Sequence, residues 1–290
     1  MSEAQYIQWF PGHMTRTRRQ IEKSLKQVDI VAEIIDARIP VSSRNPVLKS
    51  IINNKPKIVL LNKCDIADKK CTDKWVAYFK SKNVTALPVD CKSGRGLKNI
   101  LPACKEVLSE QIAAWNRKGM VGRPIRIMIV GIPNVGKSSL INKMCQSGKS
   151  GKAEVQDRPG VTRENRWFTI GKGFELLDTP GVLWPKFDDK TVGEHLAFTG
   201  AVKDEVVDVE ALASRLLETI AKLYPEAINT RYKTELENIG EMDGYEILKS
   251  IGKKRGMLIS GGEINTERAA IAVLDEFRSA KLGNITLEQL

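Results

Sequence analysis

The clearest chemical pattern in the chain is Gly131-Ile132-Pro133-Asn134-Val135-Gly136-Lys137-Ser138, which fits G-x-x-x-x-G-K-[ST]. An apolar run precedes it and a helix-forming run follows it, as a phosphate-binding loop requires. Its glycines let the backbone bend around phosphate oxygens, and N–H groups at the helix start point at the anion. The hydroxyl of Ser138 is a candidate Mg²⁺ ligand. The predicted nucleotide contacts here are Asn134, Val135, Gly136, Lys137, Ser138 and Ser139.

A second motif, Asn62-Lys63-Cys64-Asp65, directly follows the apolar run at residues 57–61. N-K-x-D at a strand end is a guanine-recognition signature. The carboxylate of Asp65 can accept from both N1–H and the 2-amino group of guanine, while Asn62 is expected to reach the other edge and the stem of Lys63 to cover the base. Adenine lacks the 2-amino donor and would leave Asp65 poorly paired. The motif therefore predicts GTP or GDP rather than ATP.

Two further segments are expected to complete the phosphate and magnesium contacts. Asp178-Thr179-Pro180-Gly181 would place the Asp178 carboxylate near Mg²⁺, through water, and the Gly181 N–H on the γ-phosphate. Thr162 could close over Mg²⁺ with its hydroxyl when the γ-phosphate is present. The predicted magnesium ligands are therefore Ser138, Thr162 and Asp178.

A third base contact is expected from Asp90-Cys91-Lys92-Ser93-Gly94, which follows the apolar run ending at Val89. Backbone groups of Cys91, Lys92 and Ser93 could contact guanine there. The segment lacks the usual Ser-Ala-Lys, so a plain strand-to-helix turn remains an equal alternative.

Apolar runs alternate with helical periodicity over the first part of the chain. They predict strands at residues 30–35, 57–61, 85–89, 126–130, 165–170 and 174–177, and helices near 14–27, 45–53, 70–82 and 96–116. This alternation is typical of an α/β fold with a mainly parallel sheet covered on both faces. From about residue 190 the pattern becomes helical. One apolar stripe contains Leu212, Leu216, Leu217, Ile220 and Leu223, and a second contains Ala269, Ile271, Ala272, Val273 and Leu274. We therefore predict a P-loop GTPase domain over residues 1–188 and an all-helical domain over residues 189–290.

The guanine motif precedes the phosphate motifs along the chain, which reverses the order of an ordinary GTPase. The sequence is therefore predicted to be circularly permuted. Such a change is physically allowed, because the loops converge at one edge of the sheet in whatever order the chain visits the strands, and domain termini usually lie close together.

The charge distribution separates the two parts of the chain. The net charge is +11, but residues 1–199 carry 34 Lys+Arg against 19 Asp+Glu, a net +15, whereas residues 200–290 carry 12 against 16, a net −4. A basic field of that size favours a polyanionic partner such as RNA. Solvated lysines alone could also produce it, and composition does not separate the two interpretations.

Composition also limits where the protein is expected to act. We find no apolar signal segment and no run long enough to span a membrane, so a cytoplasmic protein without a membrane partner is expected. The five cysteines are scattered without C-x-x-C pairing, which predicts free thiols rather than a disulfide framework or a zinc site.

The motif order as a whole resembles the bacterial ribosome biogenesis GTPase A family, also called YlqF. The resemblance rests on N-K-x-D, G-I-P-N-V-G-K-S, P-G-V-T and D-T-P-G in this order, with D-A-R-x-P near the start, W-F-P-G-H-M before it, and residues 251–256 near the end. It implies a GTPase that assists late assembly of the large ribosomal subunit, with an RNA-contacting helical domain. The implied partners are a large-subunit precursor and rRNA, with ribosomal proteins as further candidates, and we expect a monomer.

The resemblance also implies how hydrolysis is achieved. Val182 follows the D-T-P-G motif where many signalling GTPases have a glutamine that orients water, and an apolar side chain cannot do so. The resemblance implies that His13 takes this role, since a neutral imidazole can orient or deprotonate water; a surface histidine at a helix start is the alternative. It also implies that Asn134 helps to hold K⁺ near the phosphates, although asparagine is a common turn residue. His195 has no matching motif and is expected to be structural.

Some alternatives remain open at this point. Asp36-Ala37-Arg38 matches a family signature, but locally it indicates only a strand end with an ion pair, and we assign it no chemical role. A non-catalytic RNA-binding factor that uses GTP for folding or affinity is a second functional hypothesis. A signalling GTPase with a protein effector is a third.

Overall fold

The structure is a computed structural model that describes residues 19, 21–52, 55–147, 166–170, 173–179, 189–202, 204 and 207–290. The sequence-based predictions for His13, Thr162, Gly181 and Val182 fall outside these residues. They are therefore carried forward as predictions.

A six-stranded sheet contains the residues that precede each predicted nucleotide motif. The strand order is β3-β2-β1-β4-β6-β5, and every neighbouring pair is parallel except β5 with β6. The prediction of a mainly parallel sheet in an α/β fold is confirmed. The strands are β1 (Ile30–Asp36), β2 (Lys57–Asn62), β3 (Thr85–Pro88), β4 (Ile125–Val130), β5 (Arg166–Thr169) and β6 (Phe174–Asp178).

The helices between these strands follow the predicted alternation, except that one predicted helix is interrupted. Residues 21–25, within the predicted first helix, are helical, and Ile21 and Leu25 pack with Met128 and Leu177 in a buried apolar cluster. The predicted helix at 96–116 is instead a 3₁₀ turn followed by two helices separated by the buried Leu108. The labelled helices of this part are α1 (Pro46–Ile51), α2 (Lys69–Ser81), α3 (Ile100–Val107), α4 (Ser109–Arg117) and α5 (Lys137–Ser147).

The central strands are long apolar runs because both faces of a parallel sheet are covered. All seven residues of β1 are buried, and β4 is buried except at its second residue, Arg126. This rigid centre fixes where the chain leaves β1, β2 and β4. The loops that follow these strands therefore begin from well-determined positions.

A second compact unit contains the helices from residue 190 onward together with Ile66–Asp68. Within this unit the Asp68 N–H donates to Thr286 Oγ1 at 3.1 Å, and Tyr224 Oη contacts the Asp68 carboxylate at 3.4 Å. The sequence did not predict that these three residues belong with the helices, and the division at residues 188 and 189 stays a prediction. The helices are α6 (Lys190–Phe198), α7 (Val209–Leu223), α8 (Pro225–Tyr232), α9 (Gly244–Lys254) and α10 (Thr266–Arg278).

Helix α7 packs against α8, α9 and α10 in the centre of this unit. Gly244 permits the close approach of α9, since a Cβ at that position would lie 2.0 Å from the Ser214 carbonyl oxygen. The predicted stripe on α7 is buried at four of its five positions, Leu223 being only partly buried. The second stripe was partly wrong, because Ile271 is about half exposed whereas Ala270 is buried. Ile271 lies two residues from Ala269, on the opposite side of a helix with 3.6 residues per turn.

Charged side chains at the edge of this unit form paired contacts. The Glu276 carboxylate accepts from Arg231 at 2.8 Å through both oxygens, and Arg255 adds a contact at 3.2 Å. Arg278 pairs with both oxygens of Asp204 at 2.7 Å. No helix in the described ranges has the length and apolarity needed to cross a bilayer.

Candidate nucleotide site

The sheet brings the predicted nucleotide motifs to one edge. The guanine motif begins at the last residue of β2, the phosphate loop follows β4, and Asp178 is the last residue of β6. Because these strands are parallel, their carboxyl ends point the same way, and ligands in such folds bind beyond that edge. The loop after β3, residues 89–96, reaches the same edge.

Two glycines let the phosphate loop lie close to the neighbouring strands. A Cβ at Gly131 would lie 2.6 Å from the Ile34 carbonyl oxygen, and one at Gly136 would lie 2.2 Å from Asn62 Nδ2. Gly136 also has a φ of 109°, which is rare for residues with a side chain. A larger residue at either position would displace the loop. The G-x-x-x-x-G spacing therefore has a direct steric cause.

Lys137 is buried at the start of α5 and lies over the loop. Its Nζ donates to the carbonyl oxygens of Gly131 at 3.1 Å and Ile132 at 2.8 Å. Burial lowers the pKa of Lys137 to about 8, although the nearby Asp178 carboxylate acts in the opposite direction. The lysine is thus a poorly solvated cation that a bound phosphate would stabilise.

Asp178 and Ser138, two of the predicted magnesium ligands, lie at the end of β6 and in the first turn of α5. Asp178 is buried opposite Ile129 in the β6–β4 pairing, and the adjacent Thr179 hydroxyl donates to the Ile129 carbonyl oxygen at 2.7 Å. Ser138 and Ser139 are exposed in the first turn of α5. In the described part of the chain, no three His, Cys, Asp or Glu side chains form a metal cluster. A metal here would need phosphate oxygens as further ligands, which suits Mg²⁺.

Asn62 connects three loops through its side chain. Its Nδ2 donates to the Val135 carbonyl oxygen in the phosphate loop at 2.6 Å, and its Oδ1 accepts from the Cys91 N–H at 2.9 Å. The sequence motif predicted contact with the guanine edge, and this bridging role was missed. One amide hydrogen and one oxygen lone pair remain for a ligand.

The loop after β3 is held by its own hydrogen bonds. The Asp90 carboxylate accepts from the N–H groups of Lys92 at 2.8 Å and Ser93 at 3.2 Å, and its carbonyl accepts from Gly94 at 2.8 Å. Burial raises the pKa of Cys91 to about 12, so its thiol is neutral. These bonds form a strand-to-helix turn, and base contacts by Cys91, Lys92 and Ser93 stay a prediction.

The remaining predicted contacts lie on the exposed side of this edge. Lys63 has a left-handed backbone with φ of 62°, and its Nζ lies 2.9 Å from Asp36 Oδ2. Asp65 is exposed. Asn134 is exposed in the phosphate loop, also with a left-handed backbone, φ of 59°. Asp65 and Asn134 are therefore accessible from solvent, and their nucleotide contacts stay predictions.

The histidine outside the motifs behaves as expected. His195 is buried in α6, and its Nδ1 lies 2.9 Å from the Glu288 carboxylate. The five cysteines are free, as predicted. His195 thus has a partner within the helical unit.

Comparison with known proteins finds similar GTPases. A sequence family described as "50S ribosome-binding GTPase" matches residues 126–243. The chain is 48% identical to ribosome biogenesis GTPase A of Bacillus cereus, over 97% of this chain and 93% of the relative. It is 34% identical to mitochondrial ribosome-associated GTPase 1 of Mus musculus, over 97% of this chain and 90% of the relative.

Solved structures give the same result. The GDP-bound structure of Thermotoga maritima YlqF matches with a TM-score of 0.67 and 29% identity, covering 93% of this chain and 99% of that one. The GNP-bound structure of YlqF from the same organism matches with a TM-score of 0.65 and 28% identity, covering 94% and 98%. The phosphate loop, the guanine motif and these near full-length similarities together show that the chain belongs to the ribosome biogenesis GTPase A family.

Proposed function

We propose that this ribosome-assembly GTPase acts on the large-subunit precursor, binds its rRNA, and uses GTP hydrolysis as the switch for release. The observation that carries the proposal is the convergence of the phosphate loop, Asn62 and Asp178 at one edge of a strongly basic part of the chain. Residues 1–199 carry a net charge of +15, which favours a polyanionic surface. The names of the similar proteins support a ribosomal partner.

At this site each predicted residue has a distinct task. Asp65 reads guanine, and the Lys63 stem covers the base. Lys137 and the Gly181 N–H bind phosphate oxygens. Ser138, Thr162 and Asp178 are the candidate holders of Mg²⁺, which would neutralise charge on the phosphates. Its preference for oxygen ligands matches this set.

Turnover is proposed to depend on K⁺ and on His13. Asn134 is exposed in the loop with an oxygen ligand suited to a monovalent cation, which would offset charge as an arginine does in other GTPases. His13 orients the attacking water, since Val182 cannot. We expect slow intrinsic turnover that the large subunit accelerates by ordering the catalytic segments.

The test is GTP turnover with purified large subunits, small subunits and neither, first in K⁺ and then in Na⁺. The proposal predicts acceleration by large subunits in K⁺ alone. An absence of stimulation by large subunits would contradict it. Binding to subunits without any GTP turnover would favour the non-catalytic RNA-binding hypothesis. GTP turnover that neither subunit stimulates would favour the hypothesis of a signalling GTPase with a protein effector.

The role of His13 has its own test. His13→Ala should lower kcat of stimulated turnover while GTP affinity stays unchanged, because water orientation affects the transition state alone. Unchanged stimulated turnover in this variant would show that another group orients the water. The matched control is His195→Ala, which lies in the helical unit and should retain stimulated kcat if the protein remains folded.

A further inference from the structure

Asp36 and Arg38 lie at the carboxyl end of β1, the strand between β2 and β4. The strand that carries the guanine motif and the strand that carries the phosphate loop are thus both neighbours of β1. We propose that Asp36 and Arg38 are positioning residues for the nucleotide, which hold Lys63 in the conformation that covers the guanine base. This inference rests on the guanine site proposed above and assigns a role to the D-A-R segment.

The Asp36 carboxylate is held rigidly by Arg38. Arg38 Nε donates to Oδ1 at 3.0 Å and Nη2 donates to Oδ2 at 2.8 Å. The Arg38 backbone N–H adds a bond to Oδ1 at 3.0 Å. Both side chains are almost fully buried. A two-point guanidinium contact fixes the plane of a carboxylate as well as its distance. The carboxylate is therefore a fixed anion at the edge of the sheet.

The same carboxylate contacts the guanine motif. Oδ2 of Asp36 lies 2.9 Å from Lys63 Nζ, whose side chain is 25% exposed. A lysine on a flexible four-carbon stem would otherwise move between many rotamers. Pairing its end with a buried anion orders the stem between the backbone and Nζ. A base that stacks on this stem then meets a surface that is already ordered, which reduces the entropic cost of binding.

The backbone around Lys63 is held in the same way. Lys63 has φ of 62°, a conformation that residues with a Cβ adopt only where their surroundings impose it. On one side the Ala37 N–H donates to the Asn62 carbonyl oxygen at 2.8 Å, and on the other the Cys64 N–H donates to the Val89 carbonyl oxygen at 3.3 Å. The segment after β1 thus supports both the backbone and the side chain of the motif.

The charge on Asp36 is maintained by its partners. Burial alone would raise the pKa of this carboxyl, but Arg38 and Lys63 outweigh burial and hold the pKa well below its ordinary value. The carboxylate is therefore ionised throughout the pH range of nucleotide-binding assays. Its interaction with Lys63 is not expected to change with pH there.

The experiment is a double-mutant cycle on GDP affinity, measured with the full chain and no ribosomes. Asp36→Asn keeps the shape of the side chain and removes its charge, and Lys63→Met keeps the stem and removes Nζ. Each should raise the Kd for GDP by about tenfold, the effect of losing one charge-assisted contact. Because both changes remove the same interaction, the double variant should bind no more weakly than either single variant.

Glu33→Gln is the matched control. Glu33 is a buried carboxylate on the same strand, with both oxygens paired to Arg44 at 3.1 and 2.7 Å. It undergoes the same loss of charge, but its carboxylate pairs with Arg44 rather than with a nucleotide motif. The Kd for GDP should change by less than about twofold in this variant. A loss equal to that of Asp36→Asn would overturn the inference, since it would reflect a general effect of disturbing β1.

Further outcomes of the same measurements test the positioning role of Asp36 and Arg38. Unchanged GDP affinity in folded Asp36→Asn, or additive effects in the double variant, would overturn the inference. If Asp36→Asn does not fold, Lys63→Met and Lys63→Arg decide instead, because Lys63 is partly exposed and only the arginine can still pair with Asp36. Rescue of affinity by arginine supports the inference, and wild-type affinity in Lys63→Met overturns it. A failure of ribosomal stimulation would contradict the proposed function but leave these affinities unaffected.

Discussion

Lys137 should make nucleotide affinity depend on pH just above neutrality. Burial lowers its pKa to about 8 in the protein alone, against the opposing effect of Asp178. A bound phosphate places negative charge beside Nζ, which raises the pKa, so the lysine of the complex keeps its proton. Binding to the neutral lysine therefore takes up a proton. By linkage, the affinity must fall as the pH rises through the pKa of the free protein.

The size of the effect follows from that pKa of about 8. About one tenth of Lys137 is neutral near pH 7 and about three quarters near pH 8.5. If the complex remains protonated, the apparent Kd for GDP increases about fourfold over this interval, or about 0.8 kcal/mol. An ordinary exposed lysine would titrate too far above this range to produce any change.

The assay is a fluorescence titration with a labelled GDP at constant ionic strength, repeated at several values between these limits. Lys137→Arg is the control, because a guanidinium does not titrate in this range. Its Kd should be weaker overall but independent of pH. The reasoning is refuted if the wild-type Kd stays constant, or if Lys137→Arg shows the same fourfold increase, since the titrating group would then lie elsewhere.

Three further predictions concern the base, the loop and the helical unit. Asp65→Asn should shift preference from guanine to xanthine nucleotides, because the hydrogen-bonding edge that meets the base is inverted. Competition binding with GDP and xanthosine diphosphate checks this, and retained guanine preference would contradict the assignment of Asp65 to base recognition. Gly136→Ala should weaken GDP binding by about tenfold or more, because its Cβ would meet Asn62 Nδ2. Gly173→Ala, with a similar φ of 96° and open space around it, lies outside the nucleotide motifs; it is the control for strain alone and should bind normally. Glu276→Gln should lower the free energy of unfolding by about 1–2 kcal/mol in urea titrations, because Arg231 and Arg255 lose their shared anion. An unchanged free energy of unfolding would show that water solvates the two arginines equally well.

The sheet could be predicted from the sequence because its strands are long apolar runs followed by polar motifs. The run before the phosphate loop is buried on both faces, and a pattern of that kind has few alternatives. The interruption at Leu108 could not be predicted in this way. The residues on both sides of it are helix formers, so the periodicity continues through the point where one helix ends and the next begins.

The nucleotide motifs were predictable as residue types at fixed spacing, but their mutual contacts were not. Asn62 and Val135 are 73 residues apart, and Asp36 ends β1 whereas Lys63 directly follows β2. No local pattern reports such pairs, because each depends on the order in which strands meet in the sheet. The same is true of Ile66–Asp68, whose packing with the helical unit depends on Tyr224 and Thr286.

The strand order divides the sheet into two halves that are also continuous along the chain. Strands β3, β2 and β1 come from the residues before 90, and β4, β6 and β5 come from the residues after 124. The halves join along a single seam, where Ile30 to Glu33 of β1 pair with Ile127 to Val130 of β4. During synthesis the half that carries the guanine motif is translated before the half that carries the phosphate loop. A nucleotide that contacts both motifs would span this seam. Because it would bind only the joined sheet, it would stabilise that state relative to the separated halves.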